Sequence, residues 1–298
     1  MASTIFHIEG GIGKNVAATA VTSAYKKAYP KRKIIVVSAW PEVWIKNPHI
    51  ARFYAIGNTP YFYQDIIKDK DVEVYSQDPY RTTPHITKKT HLIKTWCKMV
   101  GIKHNGESPV LNFNLRELEE GRAYINQFSD GRPTLLFQPF GGPGPEHQKH
   151  PYSWTRDLHP TIAQEVVNSL KEKYNIIHVG YEFHPTLEGC HRYHQLIGKK
   201  ALFSMVAHSD KRLFIDSSLQ HAAAALGLKS TVTWVATEPN IFGYKIHDNI
   251  SPKVEYKDGH IDSYLFDYDF TGVIHQCPYN KLEELHDVNA IVKSVDNQ

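Results

Sequence analysis

The feature that most constrains this chain is the apolar run Leu213-Phe214-Ile215, which ends in Asp216-Ser217-Ser218-Leu219-Gln220-His221 and passes directly into the small residues Ala222 to Ala225 and Gly227. A strand that breaks at an acid and two hydroxyls and restarts as a helix places backbone N–H groups and the positive end of the helix dipole at the strand's carboxyl end. In open α/β sheets a phosphate sits there. Asp and Ser are also ordinary helix caps, and an alanine helix packs closely, so the stretch taken alone has two explanations.

The same alternation runs through the whole chain. Residues 4–8 read as a strand, 9–15 as a glycine-rich turn, 16–29 as a helix ending before Pro30, and 33–38 as the next strand, which together make a βαβ unit. Asp71 to Tyr75 reads as a third strand, and 86–100 carries Ile86, Ile93, Trp96, Cys97 and Val100 at helical spacing with Gly101 as its stop. Asn114 caps a helix from Leu115 to about Phe128, and the turn Ser129-Asp130-Gly131-Arg132-Pro133 marks a boundary. The chain then starts again: strand 134–138, helix 159–173, strand 175–179, a His-rich loop, helix 201–208, strand 212–215, the alanine helix, strand 231–235 and a terminal helix over 281–294. This predicts the α/β class, with two facing Rossmann-like domains, 1–130 and 131–298, and a cleft between them. A length of 298 residues suits two domains.

Composition excludes little. Hydrophobic content of 41% and charged content of 22% are those of a globular protein, and a net charge of +3 permits a phosphorylated or nucleic-acid ligand without demanding one. The start Met1-Ala2-Ser3-Thr4-Ile5 enters a strand without a basic, then apolar, leader, and no apolar run reaches membrane-spanning length, so a cytoplasmic, soluble protein with no transmembrane segment is expected. Cys97, Cys190 and Cys277 are too widely spaced for a disulfide framework or a zinc pattern and read as reduced thiols.

Glycine loops sharpen the picture. Glu9-Gly10-Gly11-Ile12-Gly13-Lys14-Asn15 lies where a phosphate loop would lie and is close to the nucleotide loop of partition-type ATPases, but Asn15 replaces the magnesium-binding hydroxyl and Glu9 the signature lysine. Gln138-Pro139-Phe140-Gly141-Gly142-Pro143-Gly144 follows the first strand of the second half, with Lys149, His150, Trp154 and Arg156 downstream to supply charge and a stacking surface. Trp234-Val235-Ala236-Thr237-Glu238-Pro239 follows another strand. Together with Asp216 to His221, these loops gather at strand carboxyl ends, where ligands bind. Three other patterns carry less weight. Asp267-Tyr268-Asp269 has the spacing of a metal-binding acid pair but sits among aromatics as a surface turn; His184, His191 and His194 lack a Cys or acid at zinc spacing; and Trp40, Trp44, Tyr54, Tyr61, Phe62 and Tyr63 are core or rim before they are an acceptor platform.

The motif order resembles the heptosyltransferase-like (family nine) glycosyltransferases of GT-B architecture. The resemblance is carried by the Gly141-Gly142 loop, Trp154, Val179-Gly180, Ile197-Gly198-Lys199, and then Asp216, Ser217, His221, Ala223, Ala224, Gly227, Thr237, Glu238 and Pro239. In the first half it continues through the glycine turn, Tyr29-Pro30 and Asn47-Pro48-His49. It implies a metal-independent, inverting transferase that needs no cofactor beyond a nucleoside-diphosphate sugar as co-substrate. The donor would be held by Gln138, Gly141, Gly142, Lys149, Asp216, Ser217, Ser218, His221, Thr237 and Glu238, with Gly11 and Gly13 forming the acceptor-side loop. Lys14 stands where the family commonly has an aspartate as base, and Ser218 where it has a glycine. Glu9, the nearest acid at the end of the first strand, is therefore the expected base, with Lys14 near the phosphates or an anionic acceptor. The acceptor is a saccharide, a lipid-linked saccharide or a modified DNA base. A P-loop-like ATPase and a noncatalytic nucleotide- or saccharide-binding protein are the alternatives.

Overall fold

The structure is a computed structural model that describes residues 2–87, 89–141, 153–194, 198–253 and 279–298. The chain divides into two compact units, Met1–Phe113 and Asn114–Gln298.

In the first unit, β1 (Ser3–Ile8), β2 (Lys33–Ser38), β3 (Arg52–Ala55) and β4 (Val72–Tyr75) form a parallel sheet in the order β3-β2-β1-β4. β2 carries the continuous apolar run Ile34 to Val37, and β1 is buried along nearly its whole length, as expected of a parallel sheet covered on both faces. The covering helix α1 (Ile12–Ala28) is rich in Ala, Val and Thr and buries most of its length. It begins four residues earlier than its apolar periodicity suggests: Gly11 is the N-cap, so Gly13, Lys14 and Asn15 belong to the first helical turn and only Glu9 to Gly11 remain as the turn. Asn15 explains this, since its backbone N–H and its side-chain amide both donate to the Gly11 carbonyl, at 3.2 and 3.1 Å. The segment expected as one helix over 86–100 is two, α2 (Thr83–Ile86) and α3 (Leu92–Met99), with the side chain of His91 capping the second.

In the second unit, β5 (Thr134–Gln138), β6 (Asn175–Gly180), β7 (His191–His194), β8 (Lys211–Ile215), β9 (Thr231–Thr233) and β10 (Asp248–Ile250) are all parallel, in the order β10-β9-β8-β5-β6-β7. The expected His-rich loop thus contains an edge strand, β7, and β10 is a sixth strand too short and polar to stand out in the sequence. Alternate residues Leu135, Phe137, Leu213 and Ile215 share a core with α5 (Pro160–Leu170) and α9 (Val288–Asp296). The chain's far end closes the amino ends of the strands: Gln298 donates to the Arg212 carbonyl at 2.7 Å and to Thr231 at 2.8 Å, and accepts from the Arg212 N–H at 2.9 Å. The Arg212 guanidinium donates in turn to the carbonyls of Lys229, Ser209 and Asp210.

The division of the chain falls ahead of α4 (Leu115–Asn126), which starts with a capping box made by Asn114 and Glu117 and packs on α6 (Lys199–His208). Contact is closest at Gly121, where an added Cβ would meet the Ser204 side chain at 2.3 Å and its backbone carbon at 2.7 Å. On helix propensity alone, Gly121→Ala gains about 1 kcal/mol. Overpacking against backbone costs about 1–3 kcal/mol, so a net loss of stability is expected in urea unfolding. A more stable Gly121→Ala protein would refute the packing of α4 on α6.

Candidate functional site

The order of the second sheet reverses between β5 and β8, the two strands from which the chain winds in opposite directions. Their carboxyl ends are the topological switch point, where an open α/β sheet presents a crevice. Gln138 ends β5 and is buried; Asp216 and Ser217 follow β8 directly. A hydrogen bond joins them across the switch point, the Ser217 hydroxyl donating to the Gln138 side-chain carbonyl at 2.5 Å. Ser217 is also the N-cap of α7 (Ser218–Ala225), accepting from the Leu219 N–H at 3.3 Å. The hydroxyl thus caps the helix and ties its N-terminus to the neighbouring strand. The capping explanation of the opening stretch is met, and the helix N-terminus lies at the strand's carboxyl end.

Asp216 is only 7% exposed, and burial raises its carboxyl pKa. The Arg156 charge opposes that rise, followed by the side chains of Thr237 and Gln220. Arg156 also favours the charge on a second buried acid, Asp157, so one guanidinium serves two carboxylates. Asp157 accepts from the N–H of Gly141 at 2.8 Å and of Ser153 at 2.7 Å, clasping the two ends of the glycine-rich loop. That clasp was missed in the sequence, although an acid closely following Trp154 and a cation was its visible trace. The loop is joined to the third motif by the Ala236 N–H, which donates to the Thr155 carbonyl at 2.9 Å.

Thr237 is buried and Glu238 half-buried, the latter as N-cap residue of α8 (Pro239–Phe242). His221 is buried along α7, with Nδ1 2.8 Å from the Tyr244 hydroxyl and Nε2 3.3 Å from the Gln220 amide. Gln220 anchors α7 to α8 by donating to the Phe242 carbonyl at 3.1 Å. Ser218, half-buried, starts α7. The structure therefore brings Gln138, Gly141, Asp216, Ser217, Ser218, Thr237 and Glu238 to the carboxyl ends of β5, β8 and β9, with Arg156 and Asp157 beside them. Gly142, Lys149 and His150 lie outside the described residues, as do Asp267 to Asp269 and Cys277.

In the first unit the switch point lies between β1 and β4. Lys14, from the first turn of α1, reaches across it to Asp78, which follows β4, with 2.8 Å between Nζ and Oδ2. The Lys14 side chain is 6% exposed, and its ammonium also lies 4.7 Å from the centre of the Tyr80 ring and 5.9 Å from that of Trp96. Lys14, expected near the phosphates or an anionic acceptor, is engaged inside its own unit by Asp78 and the two aromatic rings. The reason is the early start of α1, which turns Lys14 inward over Gly10; Gly10 holds φ +90°, and its missing Cβ would stand 3.2 Å from the Lys14 stem. Glu9, by contrast, has a side chain 71% exposed, with His7 at 3.8 Å. Asn15 accepts from the Ser38 hydroxyl at 2.6 Å and is buried, so it occupies the magnesium-ligand position of a P-loop as a core residue.

The aromatic residues do not gather in one platform. Trp44 is in the core, Trp40 donates to the Gly10 carbonyl at 3.0 Å, Tyr54 and Phe62 pack edge to face, and Tyr61 and Tyr63 are exposed. His184 is buried, with Nδ1 accepting from the Tyr181 N–H at 3.1 Å, and His191 stacks on Phe128. Among the described residues, no three His, Cys, Asp or Glu side chains gather as metal ligands, and no helix is long and apolar enough to cross a membrane.

No protein-family model and no curated protein matches the sequence. Solved structures do. The glycosyl transferase family 9 protein of Veillonella parvula DSM 2008 superposes with a TM-score of 0.70 at 12% identity, over 99% of this chain and 96% of its own. The E. coli ADP-heptose lps heptosyltransferase II gives 0.63 at 15% identity, over 98% and 99%. E. coli heptosyltransferase WaaC, solved with ADP, gives 0.57 at 11% identity, over 99% of both chains. The chain has the fold of these glycosyltransferases along essentially its whole length.

Asp157 supplies a pH test. Burial pushes its carboxyl up to about 6, against the N–H groups of Ser153 and Gly141 and the Arg156 charge. The folded state then binds the proton more tightly than the unfolded chain, so this group's stabilising contribution is complete below about pH 4 and is lost as pH rises to about 6. Asp157→Asn removes that dependence. The stability of the wild type minus that of Asp157→Asn should fall by up to about 3 kcal/mol between pH 4 and 7 in denaturant titrations. A difference that stays flat or rises would refute the assignment.

Proposed function

We propose that the protein is a glycosyltransferase that binds a nucleoside-diphosphate sugar in its second unit and transfers the sugar to an acceptor hydroxyl. One observation carries this reading: the Ser217–Gln138 bridge fixes the N-terminus of α7 at the switch point, beside the Thr237-Glu238 turn and the loop clasped by Asp157. N–H groups fixed in that way stabilise charge growing on a departing diphosphate without reorganising during the reaction. Ser218 adds a hydroxyl and Arg156 a cation; Glu238 offers a carboxylate to ribose or sugar hydroxyls. The likeness of fold to the E. coli ADP-heptose lps heptosyltransferase II and to heptosyltransferase WaaC solved with ADP supports a sugar nucleotide as donor. The acceptor is a saccharide, a lipid-linked saccharide or a modified DNA base. An ATPase is the weaker reading, because Lys14 and Asn15 are turned into the first unit rather than into an open phosphate loop.

Calorimetry with ADP-heptose, UDP-glucose and ATP–magnesium tests the proposal. A sugar nucleotide should bind, and Asp216→Asn should weaken it at least tenfold, which is about 1.4 kcal/mol. Ser217→Ala should weaken it similarly while losing about 1 kcal/mol of stability as a missing cap. Binding of ATP–magnesium alone would overturn the reading.

A further inference from the structure

We propose that Asp78, rather than Glu9, takes the proton from the acceptor hydroxyl, and that Lys14 is its positioning residue; this rests on the transferase reading above. The argument starts from topology. The two sheets share one plan, in which a strand order reverses and a polar contact bridges the reversal: Ser217 to Gln138 in the second unit, Lys14 to Asp78 in the first. Switch points are where such sheets meet their ligands. Asp78 is therefore at the ligand-facing end of its own sheet for the same reason that Asp216 is at the end of the other.

The side chain is also held as a base should be. Oδ2 receives the Lys14 ammonium at 2.8 Å, and Oδ1 receives the Tyr80 N–H at 3.0 Å. A carboxylate offers about four acceptor positions, so about two remain, and the side chain is 35% exposed. The fixed donors define its orientation, and the open positions can meet a hydroxyl. Lys14 is in turn fixed by burial and by the faces of Tyr80 and Trp96, while His85 stacks on Tyr80 at 4.8 Å and closes the cluster from behind. Glu9 has none of this preorganisation, and Glu42 lies in the turn after β2, away from the reversal.

The step balances simply. As an oxygen lone pair of the acceptor forms the bond to the anomeric carbon, the bond from that carbon to the diphosphate oxygen breaks and its electrons leave with the nucleoside diphosphate. The hydroxyl proton passes to the Asp78 carboxylate and from there to solvent. Lys14 keeps the carboxylate aimed between turnovers.

The test measures nucleoside diphosphate release from ADP-heptose and UDP-glucose with three acceptors: water, a lipopolysaccharide core saccharide, and DNA carrying hydroxymethylated bases. Donor affinity is measured in parallel by calorimetry. Asp78→Asn should lower kcat by roughly a hundredfold or more, the range of general-base removal, with donor Kd and acceptor KM within about threefold. Asp78→Glu should recover part of the rate, and Lys14→Gln should cost less than Asp78→Asn. A wild-type rate in Asp78→Asn, or a larger loss in Glu9→Gln, would overturn the assignment while the transferase reading stands. So would equal losses in Asp78→Asn and Lys14→Gln that track lost thermal stability, which would make the pair purely structural. Donor binding by the wild type without turnover on any of the three acceptors would also overturn the base, and no donor binding would overturn the transferase reading with it.

Discussion

A parallel sheet covered on both faces leaves its chain only one kind of place for polar chemistry, the ends of its strands. Between the ends the contacts are mostly apolar, as for Ile34 to Val37 of β2, Leu135 to Phe137 of β5 and Leu213 to Ile215 of β8. Crossover connections then decide which end is used, because the loops at the carboxyl ends are also the starts of helices and carry their unpaired N–H groups. Each unit uses this constraint at its order reversal. The second unit places an acid, two hydroxyls and a glutamine there; the first places a lysine and an aspartate.

Much of this was legible in the sequence because it depends on local rules. Strands broken by small polar residues, and helices opened by Asn114 and Ser217, follow from capping and periodicity and need no distant partner. The polar residues at the carboxyl ends of β5, β8 and β9 were legible because their types mark strand ends. What escaped was set by tertiary contact. Where α1 begins depends on Asn15 turning back to Gly11 and out to Ser38, twenty-three residues away in sequence. The strand β7 is polar and at an edge, so no alternation marks it. Asp157 gains its importance only when the two ends of a loop are brought to it.

Lys14 shows the same limit most clearly. Read along the chain, it is a cation on a glycine loop next to a possible base, and phosphate is the obvious partner. In the fold its charge is spent on Asp78 and on two aromatic faces. Sequence proximity pointed to Glu9 as the acid of this region, whereas strand adjacency points to one that lies sixty-four residues from Lys14.

The clamp formed by Arg212 and Gln298 gives the second unit a polarity of another kind. It ties down the backbone groups of Arg212 at the amino end of β8 and the Thr231 hydroxyl at that of β9. Variation is then partitioned along the strand axis. Under the proposed function, replacements at the amino ends are felt as unfolding and those at the carboxyl ends as altered recognition, so descendants of this chain could exchange substrates by rewriting loops without reopening the question of whether the sheet holds together.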